Sequence, residues 1–154
     1  AASPGGPALM QLLDTNVVSE LRKAGTRRID AKVGRWAAAA DAGGFFISVI
    51  TLMELETGVR LTERRDGKQG AVLRAWLDDK VQPGFAGRML PVDEAVALRC
   101  AALHVPDPRP ERDALIAATA LVHGMTLVTR NLADFEPMGV PLFNPWAAEP
   151  ARRR

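Results

Sequence analysis

The chain of 154 residues has a single cysteine, Cys100, and no apolar run long enough to span a bilayer. One cysteine excludes an internal disulfide and any zinc cluster built on several cysteines. Cys100 stands in the apolar segment 96–102, so we expect a buried structural thiol, and this sparing use of cysteine fits a reducing, cytoplasmic compartment. The longest apolar stretch, residues 114–128, is interrupted by His123 and Gly124 and predicts no membrane span.

Lysine and histidine are also scarce. Sixteen of the twenty basic residues are arginine, which suits phosphate recognition, yet the formal net charge is only +2 and residues 152–154 supply three of the positive charges. A broad basic surface is therefore not indicated. Arg112 and Arg130 flank acidic positions and are candidates to contact phosphates or pocket carboxylates, with ordinary surface roles equally open. We expect the two histidines, His104 and His123, to be structural.

Helical and strand patterns alternate along the chain, which predicts an α/β fold with a mainly parallel sheet. We expect one domain at residues 10–147, an expression remnant or flexible arm at residues 1–9, and a flexible basic tail at residues 148–154. The predicted strands are residues 10–13, 45–50, 88–92, 126–129 and 140–143, and the predicted helices are residues 17–23, 31–41, 51–65, 69–81, 93–104 and 111–123.

Four carboxylates stand where predicted strands or helices begin or end: Asp14, Glu54, Asp113 and Asp134. Ligands of open parallel sheets collect beyond the carboxyl ends of the strands, so these side chains are expected to meet at one rim. Like-charged carboxylates at close range repel, which favours protonation or a bound cation. An oxygen-only ligand set favours Mg²⁺ or Mn²⁺. The pattern therefore predicts a metal-dependent nuclease.

Each acid also has a simpler structural explanation. Asp14 can cap the helix that follows it, and Thr51 with Glu54 has the spacing of a capping box. Asp113 can favour the positive end of its helix dipole, and Asp134 lies in a turn-like sequence. Each signal is weak alone, whereas all four at successive strand exits of one small domain form a stronger pattern.

Five segments in this order resemble the PIN-domain ribonucleases, and among them the VapC-type toxins of toxin–antitoxin pairs, in particular the FitB-like branch. They are LDTNVVSE at residues 13–20, ISVITLMELETG at 47–58, FAGRMLP at 85–91, DALIAATA at 113–120 and VPLFNPW at 140–146. The resemblance implies a three-layer α/β/α sandwich, a homodimer or toxin–antitoxin hetero-oligomer, and RNA cleavage that needs Mg²⁺ or Mn²⁺. It also implies an antitoxin whose C-terminal segment wraps the toxin and can place a basic side chain in the acidic pocket.

The resemblance also implies roles for individual residues. By motif, Asp14, Glu54 and Asp113 are the three core carboxylates, while Asn16 and the hydroxyl of Thr129 support the site. The fourth acid departs from part of the family, because many members have aspartate where this chain has Asn131. Others carry asparagine there and an acid three residues later, so Asp134 is taken as the fourth acid, and Asn131 as a supporting residue.

Two other functions stay open from the residues alone. A phosphatase or phosphotransfer receiver also uses an acidic pocket on a parallel sheet. The haloacid-dehalogenase pattern of phosphatases has a second aspartate two residues after the first, but this chain has asparagine at position 16. Both classes also place a lysine near the phosphoryl group after a late strand, and none of Lys23, Lys32, Lys68 and Lys80 stands there. The other possibility is a PIN-like binding protein that uses the acidic pocket for antitoxin or nucleic-acid docking without turnover.

Overall fold

A parallel five-stranded sheet forms the centre of the computed structural model, which describes residues 10–147. The expectations for residues 1–9 and 148–154 lie outside these described residues. The strands are β1 (Gln11–Leu13), β2 (Phe45–Ser48), β3 (Met89–Leu90), β4 (Thr126–Val128) and β5 (Leu142–Phe143), in the spatial order β3-β2-β1-β4-β5.

Helices connect these strands. They are α1 (Thr15–Leu21), α2 (Ala31–Ala39), α3 (Val49–Arg65), α4 (Gly67–Trp76), α5 (Gln82–Gly84), α6 (Glu94–Leu103), α7 (Glu111–His123) and α8 (Leu132–Phe135), with a π-helical segment, Leu77–Val81, between α4 and α5. Within residues 10–147, no helix combines the length and apolarity that crossing a bilayer requires.

The sheet separates two apolar clusters, because successive side chains of a strand point to opposite faces. Leu12 packs into the cluster that includes residues of α6 and α7, whereas Leu13 packs with residues of α1 and α3. On the α7 side the buried residues are mostly small, which lets that helix lie close to the sheet. Helices on both faces of a parallel sheet confirm the predicted α/β/α sandwich.

The order of the strands places a topological switch between β1 and β4. From β1 the chain proceeds to β2 and β3 on one side, and it later returns to β4 and β5 on the other. The backbone N–H of Asp14 donates to the carbonyl of Val128 at 2.9 Å, so the ends of β1 and β4 are held together. Such a switch point is where open α/β sheets bind ligands.

The boundary between β2 and α3 differs from the prediction. The strand ends at Ser48, and α3 begins at Val49, two residues earlier than expected. The hydroxyl of Ser48 accepts the N–H of Ile50 and caps the helix, so the predicted capping box of Thr51 and Glu54 is wrong. The β-branched residues of this helix start favoured a strand in the sequence pattern, but the hydroxyl cap and tertiary packing override that preference.

Two further elements differ from their predictions. Helical structure runs from Gly67 to Gly84 through the π-helical segment, so it continues past Val81, where the predicted helix ends, and includes Pro83. α4 also starts earlier than expected and packs closely on α3, since a Cβ atom at Gly70 would lie 2.5 Å from the Cα atom of Glu63. The turn-like sequence around Asp134 forms the short helix α8.

Candidate metal centre

Asp14 is the innermost acid of the site. It follows β1 directly, only 6% of its surface is exposed, and it caps α1 by accepting the N–H of Thr15 through Oδ1 at 2.8 Å. The cap role considered from the sequence is therefore real, but it occupies only one carboxylate oxygen. The other oxygen, Oδ2, points toward β4.

Thr129 holds that second oxygen. Its fully buried hydroxyl donates to Oδ2 of Asp14 at 2.7 Å and accepts the backbone N–H of Asn131 at 3.0 Å. The amide of Asn16 adds a longer bond to the same oxygen at 3.3 Å, and its carbonyl accepts the N–H of Arg130. Burial raises the pKa of Asp14 above its ordinary 3.8, and the bonds from Thr129, Thr15 and Asn16 oppose that shift.

Glu54 approaches from α3. Because α3 begins at Val49, Glu54 lies in the second turn, where it has no capping duty and its side chain reaches the rim. The hydroxyl of Thr15 donates to its Oε1, and Arg112 lies with Nη1 3.6 Å from its Oε2. Arg112 is thus an exposed residue that pairs with a pocket carboxylate, one of the two roles considered for it.

Asp113 faces the same pocket from the first turn of α7. Burial is the main cause that raises its pKa above the ordinary 3.8, followed by the negative charges of Asp14, Asp134 and Glu54. The charge of Arg112 acts in the opposite direction. Asp113 therefore lies within electrostatic reach of the other three acids singled out in the sequence. Glu54 likewise raises the pKa of Asp14.

Asp134 and Asn131 contribute differently. Asp134 is exposed in α8, and the structure brings its charge near Asp113. Asn131 is also exposed, and its backbone N–H bonds to Thr129, while its side chain makes no capping bond to α8. Asp134 therefore lies at the outer edge of the pocket, and the backbone N–H of Asn131 ties the loop after β4 to Thr129.

The donor set fits a hard divalent cation. Every acidic ligand offers oxygen, and hydroxyl donors orient Asp14 and Glu54, as the partners of metal ligands commonly do. Among the described residues, no three of these carboxylates bring their oxygen atoms within 4.8 Å of one another. Such an open pocket suits Mg²⁺, which keeps several waters and is usually held by one or two carboxylates.

Sequence reasoning missed Thr15 as a site residue. Its hydroxyl bonds to Glu54 and lies 3.3 Å from the hydroxyl of Thr51, linking α1 to α3 beside the pocket. The signal was its place directly after Asp14, but the pairing joins residues 39 positions apart and depends on how α3 packs. The prediction of a buried thiol at Cys100 is confirmed, and burial together with Glu111 raises its pKa to about 11.

A groove of about 540 Å³ leads away from the acidic pocket between α1, α3 and α4. Its wall at the pocket end includes Thr15, Asn16 and Glu54, so the groove and the candidate centre share residues. Arg130 also lines it, with its guanidinium carbon 5.1 Å from the centre of the Trp146 ring. The groove therefore offers charge of both signs next to apolar surface.

Comparison with known proteins matches residues 12–137 to the PIN domain family. The chain is 39% identical to the toxin FitB of Neisseria gonorrhoeae, over 89% of this chain and 99% of that protein. It is 37% identical to the VapC ribonuclease Y4jK of Sinorhizobium fredii, over 92% and 100% of the two chains. The crystal structure of FitAcB from Neisseria gonorrhoeae superposes with a TM-score of 0.81 at 36% identity, covering 90% of this chain and 100% of that one.

The raised pKa of Asp113 predicts a pH-dependent stability of the metal-free protein. A carboxyl group whose pKa is raised by folding contributes stability below its ordinary pKa of 3.8, and this contribution is lost as the pH rises through the folded-state pKa. At neutral pH without metal, we therefore expect Asp113→Asn to increase the free energy of unfolding. The gain should disappear in strong acid.

Urea unfolding in a chelator, from about pH 3 to pH 8, measures this difference. The matched control is Asp79→Asn, an exposed aspartate in the π-helical segment, which should show no such pH-dependent gain. If Asp113→Asn leaves the free energy of unfolding at neutral pH unchanged or lowers it, the charges in the pocket do not oppose folding.

Proposed function

The chain belongs to the PIN-domain family, as a VapC-type toxin of the FitB-like branch, and we propose that its endoribonuclease activity depends on Mg²⁺ or Mn²⁺ held by Asp14, Glu54, Asp113 and Asp134. The observation that carries this proposal is the convergence of these four carboxylates at the switch point of a parallel sheet. Such an arrangement opposes folding unless a cation or protons neutralise it, so a function in metal binding explains its presence.

The four acids would contribute to metal binding in different ways. Asp14 and Asp113 are the best candidates for direct ligands, because they are the less exposed aspartates of the pocket and their charges repel each other. Glu54 would act through water or at a second ion, and Asp134 would complete the outer edge. When bound, Mg²⁺ or Mn²⁺ would lower the pKa of a coordinated water and stabilise the negative charge that develops on the phosphoryl oxygens.

Hydroxyl groups and an arginine prepare the pocket for a phosphodiester. Thr129 and Thr15 fix the orientation of Asp14 and Glu54, so these carboxylates need little rearrangement on ligand binding. Arg112 stands exposed at the rim beside Glu54, where its guanidinium can pair with an RNA phosphate. Water would serve as the nucleophile, because a bound divalent cation would lower its pKa.

The two alternatives fit less well. A phosphatase or receiver needs a lysine near the phosphoryl group, at the end of a late strand. At the end of β4 this chain has Arg130 instead, and its guanidinium lies over the ring of Trp146. A binding protein without turnover shares the same pocket, so the cleavage experiment decides between that function and the enzyme.

We expect the substitutions Asp14→Asn and Asp113→Asn to reduce cleavage of structured RNA by roughly 10²-fold or more, because each removes a charged ligand from the centre. The assay uses purified, antitoxin-free protein with Mg²⁺, with Mn²⁺ and with EDTA. Near-ultraviolet circular dichroism and gel filtration check that the fold and oligomeric state are kept. Asp79→Asn, distant from the centre in sequence and exposed, is the control and should cleave normally.

Cleavage that persists in EDTA, or in both pocket variants, would contradict the metal-dependent mechanism. If the wild-type protein binds RNA in the presence of Mg²⁺ and of Mn²⁺ but does not cleave it, the result would favour a binding protein without turnover.

We also propose that the partner is an antitoxin whose C-terminal segment lies in the groove between α1, α3 and α4. Leu55, Val59 and Trp76 give the groove apolar surface for such a segment, and Glu54 at its end gives a basic side chain a carboxylate to pair with. A segment bound there would reach the metal centre directly, since Asn16 and Glu54 belong to both. Inhibition would then follow from displacement of metal or exclusion of RNA.

Gly58 tests the groove without disturbing the core. It is exposed on α3, lines the groove, and has no atom within 4 Å of the position a Cβ would take. Gly58→Leu is expected to fill the groove and to weaken binding of the antitoxin peptide by about tenfold or more, while RNA cleavage is kept. Gly58→Ala is the matched control and should bind normally.

Peptide affinity is measured by calorimetry and cleavage with the RNA assay. Unchanged affinity of Gly58→Leu for the peptide would place the antitoxin elsewhere on the toxin.

A further inference from the structure

A second group of metal-ligating side chains lies where α6 ends and α7 begins. Cys100 lies in α6, His104 follows four residues later as the C-terminal cap of that helix, and Glu111 is the first residue of α7. Asp113, two residues further along α7, points to a different side of that helix, since each residue turns the helix by about 100°. This group is therefore separate from the acidic centre, and the nuclease function does not use it.

Donor atoms of the three residues lie close together, and both carboxylate oxygens of Glu111 take part. Sγ of Cys100 lies 3.7 Å from Nε2 of His104 and 3.6 Å from Oε2 of Glu111, and Nε2 of His104 lies 3.3 Å from Oε1 of Glu111. Within the described part of the chain, this is the one set of three such donors that all lie within 4.8 Å of one another.

These separations match the edges of a tetrahedral zinc site. With ordinary Zn–S, Zn–N and Zn–O bond lengths, tetrahedral geometry requires ligand atoms to be about 3.3 to 3.6 Å apart. A thiolate, an imidazole and a carboxylate are also a set that Zn²⁺ favours over Mg²⁺. Three protein ligands leave the fourth position to water, and the exposed side chain of Glu111 leaves that side open to solvent.

We propose that Cys100, His104 and Glu111 form a second metal site, which takes Zn²⁺ or a similar borderline transition metal. On binding, the S–H bond of Cys100 breaks, a metal–sulfur bond forms, and the proton leaves to solvent. No electron is transferred. The bound ion would tie α6 to α7 across residues 104–111, the connection that leads to the helix carrying Asp113.

The metal-free protein holds the same residues by hydrogen bonds. The backbone N–H of Arg109 donates to Nδ1 of His104 at 3.0 Å, so in the neutral ring Nε2 carries the proton and can donate to Glu111. Metal binding at Nε2 moves the ring proton to Nδ1 and breaks the bond from Arg109.

Cobalt titration of the metal-stripped full-length protein tests this proposal. Co²⁺ bound to a thiolate gives a near-ultraviolet charge-transfer band, which carboxylate ligands alone do not produce. We expect this band at one equivalent of tightly bound Co²⁺, and we expect Zn²⁺ to abolish it by displacement. The Asp14→Asn variant should keep the band, so failure of the acidic centre would not remove the signal.

Two variants locate the site. Cys100→Ser should abolish the charge-transfer band, and Glu111→Gln, which changes an exposed side chain and spares the core, should weaken Co²⁺ binding roughly tenfold or more. Glu94→Gln, an exposed glutamate in the first turn of α6, is the matched control and should bind as wild type. Absence of the band in folded wild-type protein, or equal affinity in Glu111→Gln, would overturn the proposal.

Nitrogen-15 NMR of the histidine ring gives an independent readout. Without metal we expect the proton of neutral His104 on Nε2, and with Zn²⁺ we expect it on Nδ1, together with a shifted amide signal for Arg109. A ring that keeps its proton on Nε2 in excess Zn²⁺ would show that the cluster is only a hydrogen-bonded link between α6 and α7.

Discussion

Carboxylate groups lie beside the junction of β1 and β4, where they repel one another. Burial and neighbouring negative charge raise the pKa values of Asp14 and Asp113, so the fold disfavours the ionised forms of both groups. The sheet backbone and the hydroxyl groups of Thr129 and Thr15 hold the acidic side chains in place despite this repulsion. The acidic pocket therefore favours the binding of a positively charged ion or side chain.

The two faces of the sheet contribute differently to that place. α7 packs through small buried residues, which brings Asp113 close to the strand ends. On the other side α1 and α3 contribute Asp14 and Glu54 and also form the groove. The acidic pocket and the groove therefore form one continuous surface, since Thr15, Asn16 and Glu54 line both.

Sequence predicted the fold and most of the residues in the pocket, because apolar strands that alternate with helices and acids at strand ends are local patterns. The start of α3 was predicted two residues late, since Val49 and Ile50 favour a strand locally and the cap from Ser48 depends on a single hydroxyl. The pairing of Thr15 with Glu54 and the meeting of Cys100 with Glu111 depend on how helices pack. Periodicity along one chain does not specify such contacts, which is why Cys100 was predicted only as a buried thiol.

If a divalent cation binds between Asp14 and Asp113, anomalous diffraction from crystals of the protein soaked in Mn²⁺ will locate it. We expect an anomalous peak within about 2.0 to 2.6 Å of carboxylate oxygens from both residues, with water completing the coordination. A well-ordered pocket in which Asp14 and Asp113 carry no Mn²⁺, while Mn²⁺ binds elsewhere on the protein, would contradict it.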